Sequence, residues 1–176
     1  MDEHLASDTA PAGEQGATLP EGRLVGRVAF AEAQRQALAS AASRGWTELW
    51  LVDDNFADWP LGEAAVVQSL QAWVGRGRRL RLMAREFDTL RRQHPRFVAW
   101  CSTWQHLIEA HALRQLAAHE LPGVVWTPEW TLERLDPVRC ISVASHARER
   151  GVALHERLGE WWKKGQPAFA PTTLGL

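Results

Sequence analysis

Two short polar runs stand directly behind apolar ones, and both could do chemistry. Asp53-Asp54-Asn55 follows the unbroken run Leu49-Trp50-Leu51-Val52, and Arg85-Glu86 closes the alternating stretch Arg79–Arg85. Carboxylates orient polar groups, and arginines grip carboxylates and phosphates through two parallel N–H bonds. If both stretches are parallel strands of an open α/β sheet, their ends share one edge, and such sheets bind ligands there. His94 and Arg96 can approach that edge from the following helix. The expected ligand-binding set is therefore Asp53, Asp54, Arg85, His94 and Arg96. In it the acids orient polar groups, and Arg85 and Arg96 bind an anion. The same residue types have a plainer use: acids cap helices, and arginines at strand ends make solvated ion pairs.

No other motif competes strongly. The sequence has no GxGxxG or GxxxxGK[ST] phosphate loop, no GxSxG elbow and no HExxH. Histidines stand at 4, 94, 106, 111, 119, 146 and 155, without the three- or four-residue spacing of a helical metal pair. Neither a metal nor a cofactor is expected. Cys101 and Cys140 form neither a CxxC nor a disulfide framework. Eight arginines lie between Arg76 and Arg96, which makes a third reading available: a basic patch for nucleic acid. Glu86 and Asp88 interrupt that run, and a net charge of −1 argues against nucleic-acid binding by bulk charge.

These residues need a frame. Residues 1–19 carry no aromatic side chain and no apolar period, so they read as a disordered leader before a single domain over 20–176. No secretory signal and no apolar run of membrane-spanning length is present, so the expected location is cytoplasmic. A short strand is expected at Arg23–Gly26 and a helix over Val28–Ser43. A doubly buried strand over Thr47–Asp53 comes next, then a helix carrying Val66, Leu70 and Trp73. Arg79–Arg85 reads as a strand half covered and nearer an edge, because arginine recurs on one face. Pro95 divides the next helical stretch. His106–Ala112 is open between strand and helix. Val124–Leu135 reads as one strand with Val124, Trp126, Trp130 and Leu132 on one side and a bulge at Pro128. Asp136-Pro137 turns it into a returning strand over Arg139–Ala144, and the last helix runs from Arg148 to Lys164. Of ten tryptophans, six (Trp50, Trp73, Trp100, Trp104, Trp161, Trp162) fall on core stripes, while Trp59, Trp126 and Trp130 are free to line a groove or a dimer contact. Strands alternating with helices give an α/β fold: three layers, a mixed β-sheet, helices on both faces.

The stretch AQRQALASAASRGWTELWLVDDNFADWPLGEAAVVQSLQAWVGRGRRLRLMAR resembles the opening of a phospholipase-D-like domain. DPVRCISVASHARERGVALHERLGEWWKKG resembles that fold's returning strands and closing helix. RRQHPRFVAW and PAFAPTTLGL are similar to an uncharacterised bacterial family with acetyltransferase neighbours or fusions, which implies an acetyltransferase-linked partner. Enzymes of the phospholipase D superfamily carry HxKxxxxD. Here His146 is followed by Arg148 and then Ala153, His106 by Ile108, and His119 by Leu121. The resemblance therefore implies the fold without that chemistry: a non-catalytic binding or regulatory domain for an anionic or phosphorylated ligand or a protein partner. A homodimer is expected, since single domains of this kind often pair. The alternative reading is a phosphodiesterase or nuclease that uses His94 or His146 beside an arginine and a carboxylate.

Overall fold

The computed structural model describes residues 18–169. β1 (Gly22–Val25) turns at Gly26 into α1 (Arg27–Ser40). Gly26 has φ 94°, a left-handed conformation that suits glycine, and its N–H bonds the Cys140 carbonyl at 2.9 Å. β2 (Glu48–Asp53) leads through a loop to α2 (Ala64–Trp73) and β3 (Arg79–Ala84). α3 (Asp88–Gln93) and α4 (Pro95–Thr103) follow, split as expected by Pro95. A proline disfavours the helical region for the residue before it, and His94 sits at φ −124°, ψ 54°. β4 (Ile108–Ala112), β5 (Gly123–Trp126), β6 (Thr131–Asp136) and β7 (Ile141–Ser145) precede α5 (Arg148–Lys164) and the two-residue β8 (Gln166–Pro167). The expected leader lies, apart from Thr18 and Leu19, outside the described residues, as does the end of the expected domain at 170–176. Leu19 itself is buried. No described helix is long and apolar enough to cross a membrane.

The strands form one mixed sheet in the order β1-β7-β6-β5-β2-β3-β4-β8. β2, β3 and β4 run parallel, and every other pairing is antiparallel. α1 to α4 cover one face. There Phe30, Leu38, Trp73, Leu90 and Phe97 meet Leu49, Leu51, Leu80, Leu82, Val125 and Leu132. α5 alone covers the other, setting Leu154 and Leu158 against Trp50, Val52, Met83 and Val124. β2 supplies side chains to both cores, as its unbroken apolar run requires. The fold is thus α/β with three layers and helices on both faces.

Two sequence expectations need correcting. β3 is internal, between β2 and β4. Its arginine-bearing face is covered because the Arg81 guanidinium lies 4.8 Å from the Trp50 ring and 5.3 Å from the Trp162 ring, pairing with Glu48 and Glu109 at 3.1 and 2.9 Å. The stretch Val124–Leu135 is two strands and not one. Thr127 closes the turn between them: its hydroxyl accepts the Trp130 N–H at 2.9 Å and donates to the Trp130 carbonyl at 2.7 Å. Pro128 therefore stands in a turn, and Trp126 and Trp130 serve opposite cores. The open segment His106–Ala112 resolves into a short 3-10 turn and a strand.

Candidate functional site

The C-terminal ends of β2, β3 and β4 meet the start of β5 and the end of β6 along one edge of the sheet. Asp53 is 1% exposed there and accepts the N–H groups of Asn55 and Phe56 at 3.3 and 2.9 Å. Its other oxygen meets Arg134 Nη2 at 2.5 Å, while Arg134 Nη1 reaches Asp58 at 2.6 Å. The Arg134 guanidinium also lies 4.7 Å from the Phe30 ring, under α1. Burial pushes the Asp53 carboxyl above its ordinary range, against the pull of Arg134. Between Asp53 and Arg134 lies β5, and its residue in register is Gly123. A Cβ there would sit 2.9 Å from Asp53 Oδ1 and 3.0 Å from Arg134 Nε, so only a residue without a side chain lets the pair close over it.

Asp54 and Arg85 tie β2 to β3. Arg85 Nε donates to Asp54 Oδ1 at 2.9 Å, and the Asp54 carbonyl accepts the N–H groups of Arg85 and Glu86 at 3.1 and 3.4 Å. The hydrogen bond to Asp54 holds the Arg85 pKa above its ordinary value. Glu86 faces α3 and caps it, accepting from the Asp88 and Thr89 N–H groups and the Thr89 hydroxyl.

His94 and Arg96 lie elsewhere. The buried His94 ring bonds the Phe56 carbonyl through Nε2 at 2.8 Å, and Arg96 donates to the Gly62 carbonyl at 2.6 Å. Both brace the Phe56–Gly62 loop from the α3–α4 side, which is the α1 face of the sheet. The structure brings together Asp53, Asp54 and Arg85 and leaves these two out.

The edge also opens into a cavity of about 290 Å³, lined by Asp54, His119, Glu133, Arg134, Arg157 and Trp161 among others. Glu133 is buried and held from α5 by Arg157 and, at 3.3 Å, by Arg150. The His119 N–H reaches Asp54 Oδ1 at 3.3 Å. Reading the sequence missed these residues. The usable signal was the spacing of Arg150 and Arg157, two turns apart on one face of α5.

The arginine run does not form a free patch. Arg78 bonds the Gly45 and Trp46 carbonyls, Arg79 and Arg81 pair with Glu109, and Arg85 pairs with Asp54. Arg91 pairs with Asp88, and Arg96 is spent on Gly62. Arg76 and Arg92 alone have no such partner among the described residues. His146 lines a different cavity, of about 510 Å³, with Trp126, Trp130 and His155. Its ring approaches the Leu19 carbonyl at 3.4 Å. Trp59 is buried in the α1-side core and so lines no groove. Among the described residues no group of three or more His, Cys, Asp or Glu side chains is placed to hold a metal ion.

Solved structures share this architecture, among them two from different proteins. The archaeal chromatin protein TrmBL2, described as showing a novel mode of DNA binding, superposes with a TM-score of 0.63 at 14% identity. The likeness covers 89% of this chain and 57% of that one, so the chain spans little more than half of the chromatin protein. NUC, a phospholipase D family member from Salmonella typhimurium, superposes with a TM-score of 0.54 at 13% identity, covering 83% of this chain and 97% of that one. No family model and no curated protein matches the chain. The fold is phospholipase-D-like.

Proposed function

We propose that the chain is a non-catalytic binding domain that takes an anionic group, a phosphate or a carboxylate on a small polar molecule, in the strand-end cavity. The state of the cations there carries this reading. Arg157 is about half exposed, with a side-chain exposure of 51%, and lines the cavity beside Trp161. A ligand anion can share Arg157 while Arg150 keeps Glu133 neutralised, so no buried charge is stranded. Arg134 and Asp54, each already in an ion pair, shape the wall.

Two features favour binding over hydrolysis. Every hydrogen bond made by a histidine ring among the described residues goes to a main-chain carbonyl. The edge carboxylates Asp53 and Asp54 are each already paired with an arginine. General acid–base work needs a histidine or carboxylate within reach of the proton it moves; around this cavity Asp54 and Glu133 are held by arginines, which leaves His119 as the one imidazole in its lining.

Inorganic phosphate and bis(p-nitrophenyl) phosphate test the reading. Phosphate is expected to move the Trp161 indole N–H resonance saturably, and Arg157→Ala to weaken that effect about tenfold, the scale of one lost charge-assisted bond. No p-nitrophenol should be released. Phosphate binding indifferent to Arg157→Ala, or turnover of the diester, overturns the reading.

A further inference from the structure

We propose that the strand-end cavity selects an anion carried on a flat aromatic ring, an aryl phosphate or aryl carboxylate. This rests on the anion reading at Arg157 and adds what the anion must be attached to. The cavity wall has two parts. The charged part is largely closed on itself: Asp54 is held by Arg85, and Glu133 by Arg150 and Arg157. The rest is apolar. Leu121 and Pro122 come from the approach to β5, Leu135 and Pro137 from the end of β6 and the turn after it, and Trp161 from α5. Inorganic phosphate would engage the first part and leave the second in water, whereas an apolar group attached to it would cover both.

Trp161 decides what that group is. It stands four residues after Arg157 on α5, so the two share one face of the helix, with Cβ atoms about 5–6 Å apart. A ring bonded to an anion held by Arg157 can therefore lie against the indole. The indole is partly buried and packs on the α5-side core, which includes Leu121, so it is held in place before a ligand arrives. Its neighbour Trp162 is used differently: it stacks on His111 with ring centroids 3.7 Å apart and meets Arg81. Leu135 lines the same cavity and is 57% exposed, a large apolar side chain left for a ligand to cover. Contact between two rings adds attraction beyond the area buried, which an alkyl group does not supply. At about 290 Å³ the cavity stands at the small end of ligand sites, about 300–1,000 Å³, which suits one ring and its anion.

Calorimetric titration of the full chain with inorganic phosphate, phenyl phosphate and n-butyl phosphate tests this. Phenyl phosphate is expected to bind about tenfold more tightly than inorganic phosphate, the scale of one aromatic contact with the area it buries, and more tightly than butyl phosphate. Trp161→Leu keeps apolar bulk and loses the ring. It should erase the preference for phenyl phosphate and leave inorganic phosphate binding unchanged. Leu135 is exposed, so Leu135→Ala should keep an unchanged thermal melt while weakening phenyl phosphate about threefold. Equal binding of inorganic and phenyl phosphate, both weakened by Arg157→Ala, overturns this proposal and leaves the anion reading standing. Butyl phosphate as tight as phenyl phosphate overturns the selection of a ring. Binding of none of the three overturns the anion reading and this proposal together.

Discussion

Gly123 lets two strands that are not neighbours share a charge. Asp53 on β2 and Arg134 on β6 meet across β5 because nothing projects from the residue between them. Gly123→Ala places a methyl 2.9 Å from the carboxylate and should cost about 1–3 kcal/mol, the usual range for overpacking, read by denaturant unfolding. Arg134→Met removes one of the two crowded groups and frees the Asp53 carboxylate from its partner, so in that background the alanine should cost less. A fully additive double-mutant cycle would separate the glycine from the ion pair. Breaking this pair from one side alone strands a buried charge, so Arg134→Met should itself be costly, about 3–5 kcal/mol. Asp53, Asp54 and Arg85 were legible from sequence because they stand directly behind recognisable strands. His94 was misplaced because proximity in sequence to Arg85 does not tell which face of the sheet a short helix takes.

At the scale of elements, α1 is linked to the start of α2 by Arg35, which grips Glu63 through Nε and Nη2 at 2.8 and 2.7 Å. Hydrogen bonding to Arg35 holds the Glu63 pKa below the ordinary glutamate value. A carboxyl depressed in the folded state stabilises the fold above its unfolded pKa, about 4.3 for glutamate, and loses that contribution as pH falls through the folded value. Both side chains are more than a third exposed, so solvent screens the pair and Glu63→Gln should cost less than about 1 kcal/mol at pH 7. The difference between wild type and variant should shrink below pH 4. Thermal unfolding against pH reads both. The helices and parallel strands were visible because their periods differ. The β5–β6 hairpin was not, because Trp126 and Trp130 are an even number of residues apart and mimic one continuous strand. Its turn has no glycine to betray it. The edge placement of β3 failed for another reason: cation–π stacking under Trp50 and Trp162 buries a face that reads as solvated.

Over the whole molecule, charge is balanced in place more than in total. The arginines of the 76–96 run are mostly spent on partners close by, so they offer duplex DNA few free cations. Binding to a nonspecific duplex at physiological salt should be no tighter than about 100 μM and should weaken further as salt rises. Salt-independent or markedly tighter binding, measured by fluorescence anisotropy, would contradict this layout. The eight-stranded order was beyond sequence reading for the same global reason: each strand shows its own period, and none shows its neighbour.

That order also constrains how the chain is made. β1 precedes every other described strand in sequence, yet its partner among the described residues is β7. Until β7 pairs with β1, Leu24 has no neighbouring strand to lie against. An early fragment therefore lacks a closed core, and the fold must complete late, after a loop of nearly the whole domain has closed. The pairing that joins the first described strand to the seventh makes closure of this sheet depend on one long-range contact.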